Sequence, residues 1–222
     1  RDVAVTGVQT CALPILFSQT KVLTSSAVWT LVEEGKLSFM DKIADHIPEF
    51  AKRGKANITL QQVMTHTGGF PNNNVTKATW TDHAKMRAEV ADFSLDWTPG
   101  SRLQYHGQAA HLVQAMVIEA VTGEAYNKWI QREVVEAAGL EETRPDVPSP
   151  KGGPLAKGHS SKWPLGHRIT LPSDTSTHGL ASATGFISTA HDLALFFGQL
   201  SPVAKKSILT VASRREMARR HW

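Results

Sequence analysis

An uncharged run of eleven residues, Val22 to Val32, constrains this chain more than any other stretch. Glu33 and Glu34 end the run, and Gly35 follows at a place that is typical of a helix ending in the left-handed conformation. A helix that carries no charge on any face has to be surrounded by other parts of the chain. The run therefore predicts a buried central helix.

Ser18 and Lys21 stand just before this run, three positions apart. Residues at i and i+3 share a helix face, so the two side chains would meet at the start of the central helix. A lysine amine that is withdrawn from water beside a hydroxyl is a base beside a nucleophile. The S-x-x-K spacing also suits an ordinary helix start whose lysine extends its amine into water, and at this point both interpretations remain open.

The amino-acid composition is that of an ordinary globular protein. The chain has 222 residues, which is enough for one or two domains. Its residues are 41% hydrophobic and 20% charged, as in an ordinary globular protein. The net charge of +4 is concentrated after residue 204, where six Lys and Arg oppose one Glu, so we expect no nucleic-acid partner. No apolar run approaches the roughly 20 residues of a membrane span. The sequence does not determine the cellular compartment of the protein.

Residues 1–15 look foreign to the rest of the chain. The eleven residues from Val5 to Ile15 resemble the in-frame translation of a common DNA sequencing-library adapter. We therefore expect residues 1–15 to be an artefact that makes few packed contacts, and residues 16–222 to be part of one domain. The single cysteine, Cys11, lies in this segment, so cysteine usage indicates nothing about redox compartment.

Helical patterns dominate the remainder. Thr59 and Gln62 have the spacing of a capping box, which predicts a helix start. Residues 146–174 are rich in Pro and Gly and predict a long loop or poorly formed strands. Further helices are expected over 41–47, over 82–92 with Thr81 as its cap, over 108–121, over 125–137, from Ser188 or Thr189 to 200, and from Thr210 to about 219.

Several segments follow the Ser18–Lys21 pair in a fixed order: Leu31 to Leu37, Ile58 to Phe70, Trp97 to Ser101, and Tyr105. From about Phe17 onward the chain thereby resembles the serine β-lactamase-like family, which includes class C β-lactamases, penicillin-binding DD-peptidases, and related esterases and D-aminopeptidases. The resemblance implies an α+β fold of the β-lactamase/DD-peptidase type. Here it would be a helix-rich fragment with an incomplete antiparallel sheet, lacking N-terminal and C-terminal strands.

The resemblance also implies a role for three residues. Ser18 would be the acylated nucleophile, Lys21 its proton acceptor, and Tyr105 the phenol that relays the proton to the leaving group. The backbone N–H of Ser18 would be one donor to the oxyanion. The substrate would be a small-molecule or peptide ester or amide, and no cofactor is implied. His106 and His111 are five apart without a His-Glu-x-x-His pattern, so we expect no metal.

Two departures from the family pattern stand out. The second motif is Tyr105-His106-Gly107, without the usual Asn, and no third motif of the Lys-Thr-Gly or His-x-Gly type follows the last expected helix. His66-Thr67-Gly68 has those letters but lies too early, in a loop that we expect His66 to order by hydrogen bonding. The chain as given is therefore expected to show little turnover. The alternative function is a catalytically silent, penicillin-recognising or scaffolding module.

Overall fold

The computed structural model describes residues 13–72, 74–146, 155–162, 164, 166–171 and 176–221. The α-helices in these ranges are α1 (Thr20–Glu33), α2 (Ile43–His46), α3 (Leu60–Met64), α4 (His83–Asp92), α5 (Ala109–Thr122), α6 (Tyr126–Ile130), α7 (Ala190–Gln199) and α8 (Val211–Met217). Short 3₁₀ turns occupy Phe17–Gln19, Pro48–Ala51, Lys77–Thr79 and His178–Leu180, and π-helical turns occupy Gln131–Glu136 and Ala181–Gly185.

Helix α1 is the central helix that the uncharged run predicts. Nine of its 14 residues are buried, with Val28 and Leu31 completely inaccessible. It packs against α5 on one side and against the π turn Ala181–Gly185 on another. Gly35 follows with a φ of +70°, the left-handed ending that the sequence indicates. The described part of the chain therefore supplies the cover that this helix needs.

Polar caps start the helices where the sequence indicates, with one exception. Thr59 and Gln62 form the capping box of α3, and Thr189 and Thr210 cap α7 and α8. The exception is α4, for which Thr81 was the expected cap. The side chain of Asp82 accepts the Lys85 N–H instead, and the helix begins at the next residue. Asp and Thr are both good caps, so the pattern alone was ambiguous by one position.

The stretch predicted as one helix over 125–137 has two parts. Helix α6 ends at Ile130 and continues as the wider π turn Gln131–Glu136. The change of pitch allows the consecutive residues Val134 and Val135 both to be fully buried. A single extra residue in a turn does not alter the hydrophobic pattern enough for the sequence to reveal it.

Strand pairing is short throughout the described residues. Strands β1 (Gly158–His159) and β2 (Thr170–Leu171) form an antiparallel pair within the segment predicted as a loop with poorly formed strands. Elsewhere Ile187 pairs with Ile15 and with Arg144, in both cases as an antiparallel bridge. The architecture is thus α+β and helix-rich, with an incomplete antiparallel sheet, as the sequence predicts.

The first residues that the structure describes are packed more closely than we expected. Leu13 is 3% exposed, and its carbonyl accepts the Ala156 N–H at 3.1 Å. The Pro14 carbonyl accepts the Ser188 N–H at 3.2 Å. Residues 1–12 lie outside the described ranges. The adapter origin of residues 1–15 stays a prediction, but its last three residues do contact the domain.

Candidate active site

Ser18 lies in the 3₁₀ turn that leads into α1, and its side chain is accessible. The residue before it, Phe17, has a φ of +47° and is 66% exposed. A positive φ is uncommon for a bulky residue, and such outliers concentrate at sites where the surrounding structure holds the backbone in place. The chain therefore presents Ser18 on a constrained turn at the N-terminal end of a buried helix.

Lys21 follows in the first turn of α1 and is 6% exposed. Its amine donates to the Ala183 carbonyl at 2.8 Å and lies 3.4 Å from the Ser18 hydroxyl. Ala183 belongs to the π turn that packs against α1. One strong hydrogen bond from a distant part of the chain thus anchors the amine beside Ser18.

Tyr105 reaches the same point from the irregular segment before α5. Its hydroxyl lies 2.7 Å from the Ser18 hydroxyl, and the Lys21 amine lies 5.6 Å from the centre of its ring. The ring itself is 49% exposed. The structure therefore brings together all three residues that the sequence singles out, Ser18, Lys21 and Tyr105.

Three histidine rings lie close together next to Tyr105, with the ring of His66 nearest to the other two. The rings of His106 and His111 lie 5.5 and 5.6 Å from the ring of His66. Burial, with smaller contributions from His106 and Lys21, lowers the pKa of His66 to about 4. Burial also lowers the pKa of His106, and it holds the pKa of His111 well below its usual value. All three rings are neutral near pH 7, so they add no positive charge beside Lys21.

His66 also fulfils the role predicted for it in its loop. Its ring Nδ1 accepts the backbone N–H of His106 at 3.2 Å, and its backbone carbonyl accepts the N–H of Gln104 at 3.1 Å. The prediction that His66 orders this region by hydrogen bonding is confirmed. The His66 loop and the segment that carries Tyr105 are consequently joined.

A buried set of hydrogen bonds joins α1 to α6 and to the π turn Ala181–Gly185, and the sequence did not reveal it. The Thr24 hydroxyl, fully buried one turn further along α1, bonds to the Tyr126 hydroxyl at 2.6 Å and donates to the Ser182 carbonyl at 2.7 Å. The small apolar residues from Gly179 to Phe186 were the available signal, since small side chains allow a backbone to approach a helix closely. Nothing in that run specifies which carbonyl meets which side chain.

The three residues open onto a cleft of about 580 Å³. Ser18, Lys21, His66 and Tyr105 line its polar part. Apolar side chains line much of the rest, namely Val22, Trp29, Phe39, Met40, Met64 and Met217. The site can therefore hold a molecule that has a polar reacting group and an apolar portion.

The described residues hold neither a metal-binding cluster nor a helix able to cross a membrane. They contain no group of His, Cys, Asp or Glu side chains arranged to hold a metal ion. No helix in the same ranges has the length and apolar character needed to cross a membrane.

The fold is that of the β-lactamases and penicillin-binding proteins. A family VIII carboxylesterase of known structure superposes with a TM-score of 0.78 at 21% identity, over 95% of this chain and 62% of the other. The family model described as Beta-lactamase matches residues 6–221. The chain belongs to the beta-lactamase family.

Curated relatives match a shorter part of the chain. A protein of Escherichia coli K12 with the provisional name D-alanyl-D-alanine carboxypeptidase is 29% identical over an alignment of 142 residues, which covers 58% of this chain and 32% of that protein. The esterase/beta-lactamase LipL of Mycobacterium tuberculosis H37Rv is 28% identical over an alignment of 144 residues, which covers 62% of this chain and 33% of that protein. The matched segments thus span about a third of these relatives' lengths.

Proposed function

We propose that this chain is a serine hydrolase that forms an acyl-enzyme on an ester or an amide, with Ser18 as the nucleophile. The observation that carries the proposal is the position of the Ser18 hydroxyl, 2.7 Å from the Tyr105 hydroxyl and 3.4 Å from the Lys21 amine. A nucleophile within hydrogen-bond reach of a base, which another group orients in turn, is the arrangement that activates a hydroxyl. Here the Ala183 carbonyl orients the base.

The first step is attack on the substrate carbonyl. The Lys21 nitrogen lies 2.8 Å from the Ala183 carbonyl and 3.4 Å from the Ser18 oxygen. In this step an unprotonated amine donates one N–H to the carbonyl and accepts the Ser18 proton on its lone pair. The Ser18 oxygen bonds to the carbonyl carbon while its proton passes to Lys21, and the carbonyl oxygen takes the negative charge. The backbone N–H of Ser18 stabilises this oxyanion.

In the second step the intermediate collapses and the bond to the leaving group breaks. The leaving alkoxide or amine needs a proton, and the Tyr105 hydroxyl donates it while recovering one from Lys21. Ser18 is left as an ester of the acyl group. Water then attacks this ester by the same route in reverse, which releases the acid and restores the Ser18 hydroxyl.

The substrate class is a small-molecule or peptide ester or amide. The names of the relatives support this class, since one is an esterase/beta-lactamase and another carries a carboxypeptidase name. The cleft supports it as well, because apolar side chains adjoin the polar reacting end. Esters, D-amino-acid amides, peptidoglycan stem peptides and β-lactams share this chemistry, and all belong to the proposed class.

A fluorophosphonate probe tests the proposal without requiring turnover. The Ser18 oxygen displaces fluoride from phosphorus, and mass spectrometry of the digested protein locates the adduct. We expect one adduct, on Ser18, and none in Ser18→Ala. The matched control is Ser25→Ala, because Ser25 lines the same cleft and its hydroxyl donates to Gln114 at 3.1 Å. An unlabelled wild-type chain would favour the silent binding module, and labelling that survives in Ser18→Ala would remove Ser18 from the mechanism.

A further inference from the structure

His66 holds the chain on both sides of Tyr105. Its backbone carbonyl accepts the N–H of Gln104, the residue before Tyr105, at 3.1 Å. Its ring Nδ1 accepts the N–H of His106, the residue after Tyr105, at 3.2 Å. The rings of His66 and Tyr105 lie 5.1 Å apart. His66 therefore holds the backbone at the residue before Tyr105 and at the residue after it.

The backbone of His66 is unusual in a way that fits this arrangement. Its φ is +57°, in the left-handed region that residues other than Gly seldom adopt, although Asn, Asp and His do so more often than the rest. Such a conformation persists where surrounding interactions over-determine it. Gly could adopt it without strain, but Gly has no acceptor to offer the His106 N–H.

The protonation state of the ring is also fixed. Its burial and the nearby His106 and Lys21 give His66 a pKa of about 4, so the imidazole is neutral at neutral pH. A neutral imidazole has one N–H and one acceptor nitrogen. Because Nδ1 accepts the His106 N–H, the proton resides on Nε2.

Tyr105 needs such support. Its side chain is 49% exposed, so packing holds the ring only in part. Its hydroxyl must nevertheless stay at 2.7 Å from the Ser18 hydroxyl. The position of the phenol therefore depends on where the backbone of residues 104–106 is held.

We propose that His66 is a positioning residue, which holds the Tyr105 hydroxyl against Ser18 through its two hydrogen bonds to the flanking backbone. The catalytic consequence rests on the proposed serine-hydrolase function, whereas the two hydrogen bonds do not. His66 takes no proton from the substrate in this scheme. Its acceptor atom is what matters, not its imidazole ring as such.

Three substitutions separate the acceptor from the backbone conformation. His66→Asn keeps an acceptor oxygen at the same number of bonds from Cα as Nδ1, and Asn tolerates a positive φ. His66→Gly keeps the conformation without strain but removes the acceptor. His66→Ala removes the acceptor and adds strain, so it is the variant most prone to misfold. The comparison of Asn with Gly therefore decides the question.

The first measurement is the rate at which an alkyl ester acylates Ser18, followed by mass spectrometry, because its alkoxide leaves with the proton that Tyr105 donates. We expect His66→Asn to be acylated within a few-fold of the wild-type rate. We expect His66→Gly to be acylated about 10²-fold more slowly, since a misplacement of about 1 Å at a reacting group can cost that much. A slow Asn variant would overturn the proposal by requiring the imidazole itself, and a fast Gly variant would overturn it by showing that the acceptor is dispensable.

The second measurement is amide hydrogen exchange, followed by NMR, at the N–H groups of Gln104 and His106. In His66→Gly, the His106 amide should lose its protection while the Gln104 amide, bonded to a backbone carbonyl, keeps most of it. In His66→Asn both should stay protected. This result does not depend on activity. A wild-type chain that never labels would therefore contradict the proposed function, whereas equal protection of His106 in the Asn and Gly variants would contradict the role of His66.

Discussion

The hydroxyl groups of Ser18 and Tyr105 lie 2.7 Å apart although 87 positions separate the two residues. Tyr105 is four residues ahead of α5, and α5 packs directly against α1, whose first turn follows Ser18. The contact between the hydroxyl groups is therefore a consequence of how two core helices pack. A substitution at this helix interface would therefore change the distance between the two hydroxyl groups.

A pair of tyrosine substitutions separates catalysis from stability. Tyr105→Phe removes a hydroxyl from a half-exposed residue, so we expect little change in stability. With an alkyl ester, whose alkoxide needs a proton to leave, the rate of Ser18 acylation should fall by roughly 10²–10⁴-fold, the usual contribution of a proton-transferring group. Tyr126→Phe removes a hydroxyl that bonds to Thr24 in the core, so it should cost about 0.5–1.5 kcal/mol of unfolding free energy and leave acylation nearly intact. Urea unfolding measures the stability of both variants, and mass spectrometry follows the acylation of Ser18 by the alkyl ester. A normal rate of acylation in Tyr105→Phe would exclude the phenol as a proton relay.

Lys21 should be required for the activation of Ser18. Lys21→Met keeps an apolar stem of similar length in a position that is 6% exposed, but it removes the amine. We expect labelling to fall by roughly 10²–10⁴-fold. Stability should change by about 1–3 kcal/mol because the Ala183 carbonyl loses its buried donor.

The control for Lys21 is Lys36→Met, on an exposed lysine whose salt bridge within the described residues is with Glu34, 2.8 Å away at the surface. Exposed pairs contribute little, so this variant should match the wild type in both labelling and melting temperature. If Lys21→Met folds and labels at the wild-type rate, another group accepts the Ser18 proton.

Helix spacing predicted the local part of the site, the family resemblance added Tyr105, and the buried contacts of Lys21 and Thr24 were not predicted. The proximity of Ser18 to Lys21 follows from helix spacing alone, and the burial of α1 follows from its lack of charge. The contact of Tyr105 with Ser18 came from the family resemblance, since no spacing rule joins positions 18 and 105. The Ala183 carbonyl and the Thr24–Tyr126 bond were not foreseeable. They depend on the approach of a backbone from a remote turn, and small apolar residues do not encode its orientation.

The same distinction holds for the fold. Caps and left-handed glycines were predicted because they act within four residues, as at Thr59 and at Gly35 with its φ of +70°. The π turn Gln131–Glu136 was not, because tertiary packing selects that pitch. The close packing of Leu13 was also unexpected, since it depends on pairing with Leu155 much further along the chain.

Two deletions test the adapter interpretation of the N-terminal segment. If residues 1–15 are adapter-encoded, removal of residues 1–12 should change the unfolding free energy by no more than about 0.5 kcal/mol, as for an inert surface change. Removal of residues 1–14 should cost about 1.5–3 kcal/mol, because it also removes the buried Leu13 side chain. Urea unfolding of both truncations provides the comparison. A large loss on removal of residues 1–12 would indicate that the segment was selected to fit this domain.

Two glycines in the same backbone conformation should differ sharply when each is replaced by alanine. Gly69 and Gly123 have φ values of +79° and +72°, so Ala at either position carries the left-handed penalty of about 1–2 kcal/mol. A Cβ at Gly69 would also collide with the Trp97 carbonyl oxygen, while a Cβ at Gly123 meets no described atom within 4 Å. A backbone oxygen cannot rotate away as a side chain can, so we expect Gly69→Ala to cost about 1–3 kcal/mol more than Gly123→Ala.

The difference should extend from stability to the site. Gly69 closes the loop that begins at His66, and this loop is tied to the next turn by the bond from the Asp96 N–H to the Gly69 carbonyl at 2.9 Å. A shift of Gly69 therefore displaces the residue that holds the backbone around Tyr105. We expect Gly69→Ala to slow the labelling of Ser18 at temperatures where it remains folded, and Gly123→Ala to label at the wild-type rate. Equal unfolding free energies for the two variants, measured in urea, would show that the loop around Gly69 can yield and that its close approach to Trp97 does not constrain the site.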